Sequence, residues 1–423
     1  MTRIKDGYKD TEIGVIPNEW NVAKLETICD VRDGTHDSPK YQESGIPFIT
    51  SKHLTDNGVD FSDVNYISNE DHISFSKRSL VENGDILFGM IGTIGKPLIV
   101  NYDFEFSIKN VALLKFKDNT QLNNSFTLNL LKSTIIDKQF SKLSNGGVQS
   151  FIALGMIRSL KIPLPPLKEQ EKIADILSTA DDKIDVIASQ IEKTQTLKKG
   201  LLQKLLSEGI GHSKFKDSEL GKIPDSWGID TINSVSQKIN VGFVGTCEKF
   251  YTDKANGVLM IRTGNVKEGK IDLSNLKHIS YEFHNKNTKS QLKINDLLIA
   301  RHGSSGLCSI VPEDFPEANC LNIVMIRIDT KKSNPIFTMY LFNSNIVQIQ
   351  MEQKKAGSTQ GVVNTKEIAK TMIVIPPLEE QKQIADILST ADEKLEVLRA
   401  KKEKYETLKK GLLQKLLSGE VRV

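Results

Sequence analysis

The stretch "VRDGTHDSPKYQESGIPFITSKHL", beginning at Val31, gathers Arg32, Thr35, His36, Lys40, Tyr41, Ser51, Lys52 and His53 into one polar run. These are cations and hydrogen-bond donors of the kind that take phosphate oxygens and base edges. A second group, Arg262, Thr263, Asn265 and Lys267, lies in the later part of the chain. "GTIGK", holding Thr93 and Lys96, and "RHGSSG", holding Arg301, His302, Ser304 and Ser305, set small residues where a backbone could closely approach another polymer. Gln360 adds a polar side chain in "GSTQ". Each loop has an ordinary alternative reading, since glycine-rich segments turn and polar segments are solvated.

Motifs for catalysis fail in their details. "GMIGTIGK", ending at Lys96, resembles a phosphate-binding loop, but Met90 stands where its first glycine belongs and Pro97 follows the lysine in place of Ser or Thr. "NPIF", from Asn334 to Phe337, resembles the N-P-P-[YF] tetrad of amino-methyltransferases, but Ile336 replaces the second proline. The glycine-rich strand-to-helix turn that would hold a cofactor is also missing. No Ser-His-Asp set, H-E-x-x-H helix or nuclease-like carboxylate cluster stands out among the seven scattered histidines. The residues read as those of a binder with no metal site.

Bulk composition fits this. The chain has 423 residues, 39% hydrophobic and 26% charged, enough for two or three domains with cores. A formal charge of +3 is too small to argue for nucleic acid by itself. Cys29, Cys247, Cys308 and Cys320 form no C-x-x-C pair and read as reduced thiols. With no run of about 18 apolar residues and a charged N-terminus, the expected compartment is the cytoplasm, with no membrane partner.

The elements that must position the loops come in duplicate. Residues 165–207 and 376–418 agree at about 30 of 43 positions without a gap, and "IADILSTAD" recurs letter for letter. Fainter matches pair "DTEIGVIPNEW" with "DSELGKIPDSW", and "NGDILFGMIGTIG" with "INDLLIARHGSSG". Within the repeat, Ile173, Leu177, Ala180, Ile184, Ile187 and Ile191 step by four and three, as do Ile384, Leu388, Ala391, Leu395 and Leu398. This is the seam of a coiled coil, interrupted at Lys402. A helix from about 170 to 207 would be roughly 57 Å long, and its copy is the nearest partner, in an antiparallel pair. The alternative is that each helix packs on its own domain.

The remainder reads as mixed α+β. Short apolar strands are expected at "GIPFIT", "DILFGM", "PLIVNY" and "VALLKFK", and at "VLMIRT", "DLLIAR", "SIVPE" and "IVMIRID". Helices are expected around "LNLLKSTIIDKQFSKL" and "IFTMYLFNSNIVQIQMEQ". The expected division is a globular segment 1–164, a long helix 165–212, a second globular segment 213–375 and a second long helix 376–423.

In combination and order, "IGVIPNEW" and "LGKIPDSW", "DGTHDSPKY", "GIPFIT", "GDILFGMIGTIGK", "GSTQGVVNTKEI", and "PLPPLKEQEKIADILS" with its copy resemble the specificity subunits of type I restriction-modification systems over nearly the whole chain. The resemblance implies two target recognition domains separated by two long antiparallel coiled-coil helices, with an internal pseudo-twofold repeat. It implies a bipartite, non-palindromic double-stranded DNA target, read through the major groove. It further implies two modification subunits that use S-adenosylmethionine to methylate adenine, restriction subunits that use ATP and Mg, and no active site on this chain. Two rivals stand beside it: an autonomous adenine methyltransferase, and a duplicated coiled-coil adaptor. "GTHDSPKY" has no clean counterpart near "VGFVGTCEKFY", and "NGGVQSF" departs from "GSTQ".

Overall fold

The structure, a computed structural model, describes residues 4–143, 151–301, 306–356 and 364–423. Contacts divide the chain into two compact units, residues 1–188 with 400–423, and residues 189–399. This differs from a division into four consecutive segments, because each unit takes half of each long helix. The helices span Leu167–Ser207 and Leu378–Leu417. Pro165-Pro166 and Pro376-Pro377 stop the preceding strand, and the carbonyls of Pro166 and Pro377 accept the first helical amides. At the other ends, Gly209 and Gly419 take left-handed φ values of 67° and 69° just beyond the last turns.

In the unit of residues 1–188 and 400–423, four antiparallel strands lie in the order Asp30–Asp33, Val111–Lys115, Ile86–Gly89, Gly95–Ile99. Alternate residues leave this sheet on opposite faces. Ile86, Phe88, Ala112 and Leu114 join a core with Trp20, Phe126, Leu130, Ile173, Leu177, Leu416 and Leu417. Leu87, Val111 and Leu113 join a second core with Ile49, Leu54 and Ile108. Burial on both faces explains why these strands are continuous apolar runs and do not alternate. A second sheet pairs Ser107–Lys109 in parallel with Ile46–Thr50, which also pairs with Asn65–Ile67.

The unit of residues 189–399 repeats the plan. Its sheet runs Ser236–Val241, Ile323–Ile328, Asp296–Ala300, Cys308–Ile310. Leu297, Ile299, Val324 and Ile326 face Trp227, Phe337, Leu205, Ile384 and Leu388, while Leu298, Ala300, Ile323 and Met325 face the other way. Ala318–Leu321 pairs in parallel with Gly257–Arg262. The strands expected from sequence are all present. Each expected helix is broken once, into Asn124–Leu131 and Thr134–Leu143, and into Pro335–Asn343 and Asn345–Ala356.

The seam is partly a helix-to-helix contact and partly a helix-to-domain contact. In each unit the start of one long helix meets the end of the other, so the ends run antiparallel. Ile173 and Leu177 cluster with Leu416 and Leu417, and Ile384 and Leu388 with Leu205 and Leu206, but both sets also line a globular core. Ala180, Ile187, Leu395 and Leu398 are buried, and Ile184, Ile191 and Ala391 are half-buried. Lys402 is half-buried with its Nζ 3.6 Å from Glu406. One ion pair recurs at matched positions: Asp181 with Lys409 in one unit, and Asp392 with Lys198 at 2.6 Å in the other.

Two residues at each helix start lock the helix to its domain. The indole N–H of Trp20 donates to Glu169 at 3.0 Å, and that of Trp227 donates to Glu380 at 3.0 Å. The next residue, fully buried Gln170 or Gln381, accepts the amide of Asn123 at 2.9 Å or of Asn334 at 2.8 Å. Those asparagines in turn cap the helices that follow. "NPIF" is therefore a helix start, with Asn334 as cap and Pro335 in the first turn.

Candidate nucleic-acid interface

The loops singled out by their donors converge on one backbone corner in each unit. In the first, an extended segment leaves one sheet at Lys109 and enters the other at Val111. Asn110 makes the turn between them at φ +52°, a conformation that asparagine tolerates better than most side chains. Its carbonyl accepts the Ser51 hydroxyl at 3.1 Å, and the same hydroxyl oxygen accepts the amides of Met90 at 3.0 Å and Ile91 at 3.4 Å. The Asn110 amide donates to the Thr35 carbonyl at 3.3 Å. The loops from residues 34, 50 and 90 are thus tied to a single residue.

Asn322, at φ +54°, does the same in the second unit. Its carbonyl accepts the Thr263 hydroxyl at 3.2 Å, and its amide donates to Phe243 at 2.9 Å. The backbone match extends to the loop that lacked a counterpart in sequence. A Cβ on Gly34 would sit 2.2 Å from the Ile108 carbonyl oxygen, and one on Gly242 would sit 2.4 Å from that of Cys320. Both glycines lie where two strands approach too closely for any side chain. Gly34 and Gly242 are the paired positions, after which the two loops diverge.

Several expected contact residues prove to be scaffold. Ser51 is buried and spent on the corner. Thr35 is buried, its hydroxyl accepting the Asp37 amide at 3.0 Å. His53 is buried, with Nδ1 accepting the Thr50 amide at 2.9 Å and Nε2 donating to the Asp63 carbonyl at 3.0 Å. These partners call for a neutral ring, and burial lowers its pKa from the ordinary 6.5. Asn265 occupies the matched place, accepting the Arg262 amide at 3.0 Å and donating to the carbonyl of Asp272 at 3.0 Å. Thr263, half-buried, gives its hydroxyl to the turning asparagine's carbonyl as Ser51 does. Polar type marked these residues in the sequence, but each polar atom answers a backbone group of its own domain.

Others stand at the rim. His36 is exposed, its ring nitrogens 2.6 Å from Asn110 Oδ1 and 3.0 Å from buried Asp33, which also pairs with Arg78. Lys40 and Tyr41 are exposed beyond it, and Lys109 donates to Ser38 at 2.5 Å. Lys52 is exposed and pairs with Asp63 at 3.1 Å. Thr93 is half-buried, and exposed Lys96 faces Asp56 at 3.4 Å. Arg32 is not brought to this corner. It binds Asp30 at 2.6 Å and lines a groove with Ser76, Leu80 and Lys115. In the second unit Lys267 is exposed, and Arg262 donates to the Asn275 carbonyl at 2.8 Å. Arg301 is half-buried immediately after strand Asp296–Ala300. His302, Ser304, Ser305 and Gln360 lie outside the described residues.

Sequence reasoning missed Asn110 and Asn322, together with Lys109 and Arg78. The signal was present for the first two, because "KNVALLK" and "LNIVMIR" each set an asparagine directly before the central strand. The four cysteines are buried, and burial raises the Cys29 thiol to about 12 and carries Cys308 and Cys320 higher still. A thiol raised in this way lacks the thiolate character of a nucleophile. Among the described residues, no His, Cys, Asp and Glu group could hold a metal, and no helix is long and apolar enough to cross a membrane.

Comparison with known proteins accords with this duplicated plan. The family model for the type I restriction modification DNA specificity domain matches residues 17–196 and again 213–407. The chain is 31% identical to the MjaX specificity subunit of Methanocaldococcus jannaschii, over 99% of this chain and 97% of that one. It is 26% identical to the MjaVIII type I restriction enzyme specificity subunit of the same organism, with the same coverage. Among solved structures, the type I S subunit from M. genitalium shares the fold at a TM-score of 0.60, with 15% identity and 98% of each chain covered. A chain from a type I restriction-modification assembly does so at 0.56, with 15% identity, covering 96% of this chain and 99% of that one.

Proposed function

The chain belongs to the type I restriction-modification DNA specificity family, and from that premise we propose that it reads a bipartite, non-palindromic DNA target, one half through each unit. The observation that carries the reading is the corner at Asn110 and Asn322: one backbone arrangement built twice, bearing different side chains. A scaffold kept twice supports two readers, and unlike rims support unlike half-sites.

The helices support shared partners. Val186 and Val397 are matched positions of the repeat, as are Leu197 and Leu408, and all four are more than half exposed on otherwise polar helix faces. Scattered exposed apolar residues need no explanation. These recur at matched positions, one valine and one leucine to each unit, which suits two copies of one partner. We assign that partner as a modification subunit that methylates adenine and carries the S-adenosylmethionine. Restriction subunits, with ATP and Mg, complete the assembly, and this chain contributes recognition without a catalytic step of its own.

The test is genome-wide mapping of methylated adenine in cells with and without the chain. The reading requires one split, asymmetric motif to vanish on deletion and to return on complementation. Persistence of every motif after deletion would exclude the specificity role. Asp substitution of Val186 and Val397 together should abolish methylation while leaving the fold intact, and retained methylation would remove the helices as the docking face.

A further inference from the structure

We propose that Arg301 reads a guanine in the half-site taken by the unit of residues 189–399, an inference that rests on the DNA-reading role above. It starts from a mismatch between the two corners. Gly89 pairs with Val111 and Ala300 with Ile323, so the residues that follow them, Met90 and Arg301, occupy matched positions beside Asn110 and Asn322. Met90 is a buried apolar side chain whose amide is spent on Ser51. Arg301 puts a guanidinium in that place.

The guanidinium is poorly satisfied. Its Nε lies out of solvent without an acceptor, and the side chain makes no hydrogen bond or ion pair among the described residues. A buried N–H without a partner is costly. Such a group at a candidate interface is explained if the acceptors arrive with the ligand. Arg262, across Asn322, also has an unpaired buried Nε, but its Nη2 is already held by the Asn275 carbonyl. Arg301 is therefore the one whose fork is available. Nucleic acid offers two acceptor pairs that suit a fork, phosphate oxygens and the O6 and N7 of guanine. The position favours guanine. Arg301 stands at the backbone corner where the loops converge, next to the turning residue Asn322, whereas phosphate contacts suit exposed side chains such as Lys267.

The experiment uses the full chain assembled with its modification subunits and duplexes carrying the methylated sequence, each base pair of both half-sites being replaced in turn. Wild type should discriminate at one G·C pair of the second half-site, by about 5- to 150-fold. Arg301→Met, which installs the residue that the first unit holds at the matched place, should erase that discrimination alone and leave the first half-site unchanged. Arg301→Gln should shift the preference at the same pair from guanine toward adenine, which no folding defect can imitate. A uniform loss on every duplex, with the slope of log affinity against log salt falling by about 0.9, would make the contact a phosphate and overturn the proposal. Unchanged discrimination in both variants would overturn it as well. A wild-type complex that does not discriminate among the duplexes would remove the DNA-reading premise itself.

Discussion

The corner at Asn110 and the corner at Asn322 share a backbone and little else. Ser51 answers to Thr263, His53 to Asn265, Lys109 to Leu321 and Met90 to Arg301, yet the carbonyl of the turning asparagine receives a hydroxyl in both. The long helices are the reverse case, agreeing at about 30 of 43 positions from Pro165 and from Pro376. A backbone group accepts any donor of the right reach, so serine exchanges for threonine and histidine for asparagine at little cost. A helix that meets both another helix and a domain core has few positions free to change. Divergence at the corners with close agreement in the helices is the pattern expected when reading differs and docking does not.

The largest effect should come from what the two units share. Trp20→Ala and Trp227→Ala each empty a fully buried site that bonds the helix start, and each should cost about 3–5 kcal/mol in denaturant unfolding. Unequal losses would mean that the two locks are not equivalent. Next, Gly34→Ala and Gly242→Ala drive a methyl into a strand carbonyl and should each cost about 3 kcal/mol. A silent substitution at Gly242 would break the match between the two loops.

A pH effect should separate the units. His53 is held neutral, so between its lowered folded pKa and the ordinary 6.5 the unfolded chain binds a proton that the folded chain refuses. The stability this residue contributes is full above about 6.5 and falls as the pH drops below it. Asn265, at the matched place, does not titrate. His53→Asn should therefore flatten the decline of melting temperature between pH 7 and pH 5, and an unchanged slope would show that His53 accepts a proton in place. The smallest effect is expected at the helix ion pairs. Lys198→Ala should cost about 1 kcal/mol or less, because the pair with Asp392 is partly exposed.

Much of the fold was legible because periodicity and repetition are local signals. Doubly buried strands read as apolar runs, and Ile173 and Ile384 read as the seam of a coiled coil. The sharing of one seam between a domain core and a second helix was not legible, since apolar spacing records burial without naming the partner. The convergence at each corner was legible at the level of its loops. Its residues were not, because Ser51, His53, Thr263 and Asn265 have the chemistry of ligand contacts and use it on their own backbone. Asn110 and Asn322 escaped notice because a positive φ leaves no mark on composition.

The central claim, two independent readers on one repeated scaffold, is tested most directly by replacing residues 21–164 with the matching segment of a divergent relative and mapping methylated adenines in cells that carry the hybrid. The account predicts a new motif in which one half is altered and the other half and the spacing between them are unchanged. A motif altered in both halves, with the hybrid folded and methylation active, would contradict it.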